Sequence, residues 1–149
     1  MEIREVTKKE RSQAFELAWT VFQKFEAPEY SEEGIETFRK CLKDPAFVDQ
    51  MKVYGAFLEK ELAGVLATRK EGNHIALFFV KEQYHRQGIG RKLFEKACED
   101  NKTGKLTVNA APYAVEVYHH LGFRDLDVEQ LEDGIRYTPM AYEYIKNGE

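Results

Sequence analysis

The chain has 149 residues, 43% of them hydrophobic and 32% charged, which suits one domain with a core on both faces of a sheet and excludes a disordered chain. A formal net charge of -4 argues against a non-specific nucleic-acid binder, which needs a basic field, and is compatible with a cationic small-molecule partner. Cys41 and Cys98 are the two cysteines, with no Cys-x-x-Cys or Cys/His cluster beside them, so neither a metal site nor a disulfide framework is expected and a reducing cytoplasm is the natural compartment. No apolar run approaches membrane-spanning length, and the opening Met1-Glu-Ile-Arg-Glu5 lacks a signal segment, so no membrane partner is expected.

In chain order, Ile3 to Val6 reads as a short strand, and Thr7 with Glu10 three residues on forms a capping-box pattern. Ala14, Phe15, Ala18, Phe22 and Phe25 then recur at helical spacing, and core is the better reading for most of these aromatics. A second helix starts after Ser31, carries Ile35, Phe38, Cys41 and Leu42 on one stripe, and is stopped by Pro45. Between the two helices lies the loop Glu26-Ala-Pro-Glu29-Tyr30. Val53–Leu58 and Leu62–Thr68 read as a hairpin, Gly72-Asn73 as a turn, and Ile75–Val80 as a strand apolar on both faces, hence central in a covered sheet. A helix from Gly88 to about Asn101 and a strand Leu106–Asn109 follow, and strand, helix and strand in that order predict a parallel pair. Ala114–Phe123 reads as a helix closed by Gly122. The tail gives two alternating segments, Arg124–Leu131 and Ile135–Tyr144, joined through Glu132-Asp-Gly134, with Pro139 forcing a bulge or an edge position in the second.

A helix opening on Arg86-Gln87-Gly88-Ile89-Gly90 offers bare backbone N–H groups to an anion, as a phosphate cradle does. A Walker loop would need Gly-Lys-Ser/Thr, whereas Arg91 and Lys92 follow Gly90; a dinucleotide fingerprint would need glycine where Leu93 stands. The stretch instead resembles the acyl-CoA motif of the GCN5-related N-acetyltransferase (GNAT) superfamily, Arg/Gln-x-x-Gly-x-Gly/Ala after a strand ending in Val. Val80, Gly88, Ile89 and Gly90 match it, and His85 stands where the motif has Arg or Gln. A second resemblance, in the right order, is a strand ending in Asn109 followed by Ala114-x-x-x-Tyr118-x-x-x-Gly122-Phe123.

The resemblance implies a single-domain α/β GNAT fold over residues 1–149, with a mixed, mostly antiparallel sheet of six to seven strands and helices on both faces. It implies acetyl-CoA as co-substrate, without metal, in a V where the strands ending at Val80 and Asn109 part. Phe78, Phe79, Val80, His85, Arg86, Gln87, Gly88, Ile89, Gly90, Arg91, Asn109 and Tyr118 are the residues it assigns to the cofactor. Tyr118 also matches the family's proton donor to the CoA thiolate, the alternative being a core tyrosine. His74 occupies the position where some members place a base, and equally fits a solvated histidine beside the turn; His119 and His120 read as helix surface. Glu26, Glu29 and Tyr30 border the acceptor side in the family's architecture and would suit a cation, the alternative being a solvated surface loop. A small primary amine is the expected acceptor. A protein amine, and an acetyl-CoA sensor without catalysis, stay open, and a homodimer is compatible with the resemblance.

Overall fold

The segment apolar on both faces is covered on both faces. In the computed structural model, which describes residues 1–145, the elements are β1 (Glu2–Glu5), α1 (Arg11–Phe25), α2 (Glu32–Lys43), the one-turn α3 (Pro45–Val48), β2 (Lys52–Leu58), β3 (Glu61–Arg69), β4 (His74–Val80), α4 (Ile89–Asp100), β5 (Lys105–Ala110), α5 (Val115–Leu121), β6 (Arg124–Asp125), β7 (Gln130–Glu132) and β8 (Ile135–Glu143). The strands lie in the order β1-β2-β3-β4-β5-β8-β6, and β7 pairs with β8. Ala14, Leu17, Ala18 and Phe22 of α1, with Phe38 of α2, pack on Val65, Ala67, Leu77 and Phe79. On the opposite face Ile89, Leu93, Phe94 and Ala97 of α4 pack with Tyr118 of α5 on Leu66, Ile75 and Leu106.

The capping box forms: the Glu10 N–H donates to Thr7 Oγ1 at 3.3 Å and the Thr7 N–H donates to Glu10 Oε1 at 2.8 Å. It caps a 3-10 turn, Lys8–Glu10, that leads into α1. Gly122 ends α5 at φ +107°, with the Phe123 N–H on the Tyr118 carbonyl at 2.9 Å. Gly34 and Gly134 let α2 meet the β7–β8 turn backbone to backbone; a Cβ on Gly34 would stand 2.1 Å from the Gly134 carbonyl oxygen. That contact seats α2 over the sheet.

The described sheet has eight strands because the tail segment expected to run unbroken from Arg124 to Leu131 pairs with β8 only at its two ends. In between, the Asp127 carboxylate takes the Val128 N–H at 2.7 Å, a local bond that competes with the ladder. Pro139 makes no bulge, since the β5–β8 register passes through it unshifted. Its carbonyl accepts the Leu126 N–H at 2.8 Å, so its ring nitrogen faces the same side, just past β6, where no N–H is required.

All strand pairs are antiparallel except β4 and β5, which run parallel and touch only through His74–Thr107 and Ile75–Val108. Asn101, 1% exposed, ties this closed end together. Its Nδ2 donates to Gly72 O, Asn73 Oδ1 and Lys105 O, and its Oδ1 accepts from the Gly104 N–H and the Tyr144 hydroxyl. Asn101→Ala should therefore lower stability by about 2–4 kcal/mol in denaturant melts, because several buried partners are orphaned at once.

Candidate active site

Beyond Ile75 the two strands part, and β4 keeps a neighbour on one side only. The Lys81 N–H donates to Ala63 O at 2.8 Å, so by strand alternation the backbone groups of Phe78 and Val80 face the gap. The Val80 carbonyl is taken by His85, whose Nε2–H lies 2.7 Å away. The N–H groups of Phe78 and Val80, and the Phe78 carbonyl, remain for a ligand, since buried backbone groups need partners.

At the mouth of the gap Gly88 holds φ +80° and starts α4. The first intrahelical bond runs from the Lys92 N–H to Gly88 O at 3.1 Å, which leaves the N–H groups of Ile89, Gly90 and Arg91 as free donors of the first turn. A Cβ on Gly88 would meet nothing within 4 Å, so the space before these donors is open. An anion fits there.

From this mouth a cleft of about 350 Å³ runs inward, lined by Phe78, Phe79, Val80, His85, Arg86, Gly88, Ile89, Gly90 and Tyr118 among the expected residues. Phe25, Tyr84, Tyr113 and Val117 also line it. Phe25 shares the helical spacing of the core aromatics of α1, but its ring stands in the cleft wall, 5.2 Å from those of His85 and Tyr113. Gln87 and Arg91 lie outside the lining: Gln87 Nε2 donates to Gln83 O and Arg91 to His120 O.

A second cavity, of about 220 Å³, adjoins the cleft on the α1–α2 side of the sheet. Tyr30, His74 and Asn109 line this cavity and not the first. Glu26, Phe78, Phe79, Ala114 and Tyr118 line both, so the two spaces meet there. Glu29 lines neither; it is exposed, and its backbone carbonyl accepts from Arg136.

Tyr118 is 5% exposed, with its ring 5.9 Å edge-on from Phe78, and its hydroxyl has no hydrogen-bond partner among the described residues. Burial, and then the Glu26 carboxylate, push its pKa well above the usual phenol value, so it stays protonated. Glu26 sits at the C-terminal end of α1. Burial, and then the nearby Glu29 carboxylate, raise its pKa from 4.5 to about 7. A carboxyl of that pKa exchanges a proton easily at neutral pH.

His74 is 7% exposed and hydrogen-bonded through Nδ1 to Thr107 Oγ1 at 2.8 Å. That hydroxyl donates to Asn73 O, so the network assigns the proton to Nδ1. Burial, with the positive charges of Arg69 and Lys70, lowers the His74 pKa to about 4. His74 also lies four residues back from Phe78, about 13 Å along the strand. His119 and His120 are exposed and bond to Asp125 and to Glu116 O, clear of both cavities. Among the described residues there is no group of three or more His, Cys, Asp or Glu placed to hold a metal, and no helix long and apolar enough to cross a membrane.

A parted β4–β5 pair whose gap opens at a glycine-started helix and ends at a buried tyrosine defines an acyl-CoA N-acyltransferase. The model of the acetyltransferase (GNAT) domain matches residues 26–144, and the chain belongs to that family, whose members take acetyl-CoA as co-substrate. Similar solved structures include the GCN5-related N-acetyltransferase from Rhodopseudomonas palustris (20% identity, TM-score 0.80, 96% of this chain and 95% of that one). The PaiA N-acetyltransferase from Thermoplasma acidophilum in complex with coenzyme A is similar too (21%, TM-score 0.77, 96% and 98%). So is the aminoglycoside 6'-N-acetyltransferase from Enterococcus faecium (13%, TM-score 0.64, 100% of each). No curated protein matches the chain.

Proposed function

We propose that this N-acetyltransferase moves the acetyl group directly from acetyl-CoA to the primary amine of a small molecule held in the cavity beside Glu26. The observation that carries the reading is the junction itself: one carboxyl with pKa about 7 and one unpartnered phenol stand where the two cavities meet. Bound acetyl-CoA supplies the activated acetyl group. The backbone N–H at Val80 is the candidate donor to the negative charge that develops on its carbonyl oxygen, and the N–H of Phe78, about 7 Å along the same strand edge, is left for another polar group of the co-substrate. The Glu26 carboxylate takes the proton that the amine nitrogen loses as the C–N bond forms. Tyr118 Oη–H supplies the proton that the sulfur gains as the C–S bond breaks, and proton return from Glu26 to Tyr118 restores both.

His74 is neutral at pH 7 and too weak a base for this step, which favours Glu26 in that role. A cavity of about 220 Å³ walled by Phe22, Tyr30 and Phe38 suits a small amine better than a protein segment. CoA-thiol release with a panel of amines tests the reading: small amines should support turnover, and activity on peptides alone would overturn it. Gly88→Val should weaken acetyl-CoA binding tenfold or more in calorimetry, because a β-branched residue at positive φ costs about 1–2 kcal/mol and its side chain enters the open anion space.

A further inference from the structure

The cavity beside Glu26 has a second polar end. Arg69, the last residue of β3, pairs across the sheet with His74, and both line the cavity at the end away from the cleft. The guanidinium lies 5.4 Å over the Phe47 ring, and Nε is buried without a hydrogen-bond partner. No carboxylate among the described residues forms an ion pair with it. Asp44 spends its side chain capping α3 instead. Nε is closed off from the cavity, but the two Nη groups also make no hydrogen bond or ion pair with the described residues, and they are the donors that a ligand oxygen in the cavity can reach. The His74 imidazole feels Arg69 and Lys70 and no nearby acid, whereas the Cys41 thiol on the same lining also feels Asp44 and Asp133, so the positive charge is concentrated on the His74 side of this end. The wall between the two ends is apolar, formed by Phe22, Phe38, Ala76 and Ile135.

From the unpartnered Arg69 guanidinium at one end and the Glu26 carboxyl at the other, we infer that the acceptor is an anion-bearing amine: a primary amine joined by an apolar chain of several atoms to a carboxylate or phosphate. The inference rests on the function proposed above and adds the acceptor's second group. Glu26 meets the nitrogen where the cavities join, and Arg69 meets the anion. The four-residue offset from His74 to Phe78, about 13 Å, less the reach of the side chains, leaves room for an ω-amino acid chain and exceeds the span of glycine.

The test compares 4-aminobutanoate and 5-aminopentanoate with 1-aminobutane and 1,4-diaminobutane, read by CoA-thiol release from acetyl-CoA, in the parent and in Arg69→Gln. The aminoalkanoates should exceed 1-aminobutane in kcat/KM by about tenfold or more, the usual size of a charged hydrogen bond. Arg69→Gln should erase that preference while 1-aminobutane changes by less than about twofold, the guanidinium having no contact with it. Arg69→Met, which keeps an apolar stem over Phe47, should do the same and separates charge from packing. Preference for the diamine, or an equal loss on every amine in Arg69→Gln, overturns the inference and leaves the transferase reading standing. If no amine is acetylated, that reading falls, and calorimetry of 5-aminopentanoate on the CoA-loaded protein judges the subsite alone. Binding that Arg69→Gln abolishes upholds it, and no binding overturns it.

Discussion

Tyr118→Phe is expected to lower kcat by roughly 100- to 10,000-fold, the usual worth of a general acid, while acetyl-CoA affinity stays within about twofold of the parent. The substitution deletes the hydroxyl and keeps the ring against Phe78 and Phe123. Because that hydroxyl has no partner among the described residues, the Phe variant loses no folded hydrogen bond and should melt at or slightly above the parent temperature. A drop in activity without a drop in stability is what separates a proton donor from a core tyrosine. Single-turnover rates at saturating acceptor make the comparison, and a parent-like rate would assign the proton to solvent.

Glu26→Gln is expected to reduce kcat/KM by a comparable factor and to change its pH dependence. In the parent a base with pKa about 7 must lose its proton to work, so the rate should rise through neutral pH and level off above it. The Gln variant should lack that limb. Stability moves the other way. The folded-state pKa of Glu26 is raised above its unfolded value of 4.5, so the group's contribution is fully present below about 4.5 and is lost as pH rises through about 7. The melting temperature of Glu26→Gln should therefore gain on the parent between pH 5 and pH 8, whereas a carboxylate held by an ion pair would show the opposite sign. Glu29→Gln, at an exposed position lining neither cavity, should leave the plateau rate above neutral pH within about twofold of the parent, the ordinary scale for a surface change. It should also move the rising limb to lower pH, because the Glu29 carboxylate helps to raise the Glu26 pKa.

What could be read from the sequence was what the chemistry writes into the main chain. Bare N–H groups at a helix start need glycine in front of them, and Gly88 and Gly90 show that without any structure. A strand covered on both faces needs an unbroken apolar run, and Ile75–Val80 is one. The acceptor side was less legible because its parts come from distant elements. Arg69 falls just past the strand read from Leu62 to Thr68, and only the pairing of β3 with β4 brings it opposite His74 and over Phe47 from α3. Phe25 fits the helical stripe of α1, but at the last turn that stripe has outrun the core and faces the cleft. Glu26 and Glu29 share one short loop and one composition. Only the fold makes the first a half-buried group shared by both cavities and leaves the second at the surface. In the tail the alternating pattern suits an unbroken strand, but Asp127 satisfies the next backbone N–H itself and interrupts it.

The most direct test of direct acetyl transfer at the Glu26–Tyr118 junction is product stoichiometry, with CoA thiol and N-acetylated amine quantified together from acetyl-CoA and 5-aminopentanoate or 1-aminobutane. Direct transfer gives equal yields that depend on the amine, with no acetyl group left on the protein, and suppression of both products together in Tyr118→Phe and Glu26→Gln. Thiol release independent of the amine, acetyl transfer to hydroxyl groups only, or tight acetyl-CoA binding with no acetylated product would contradict it.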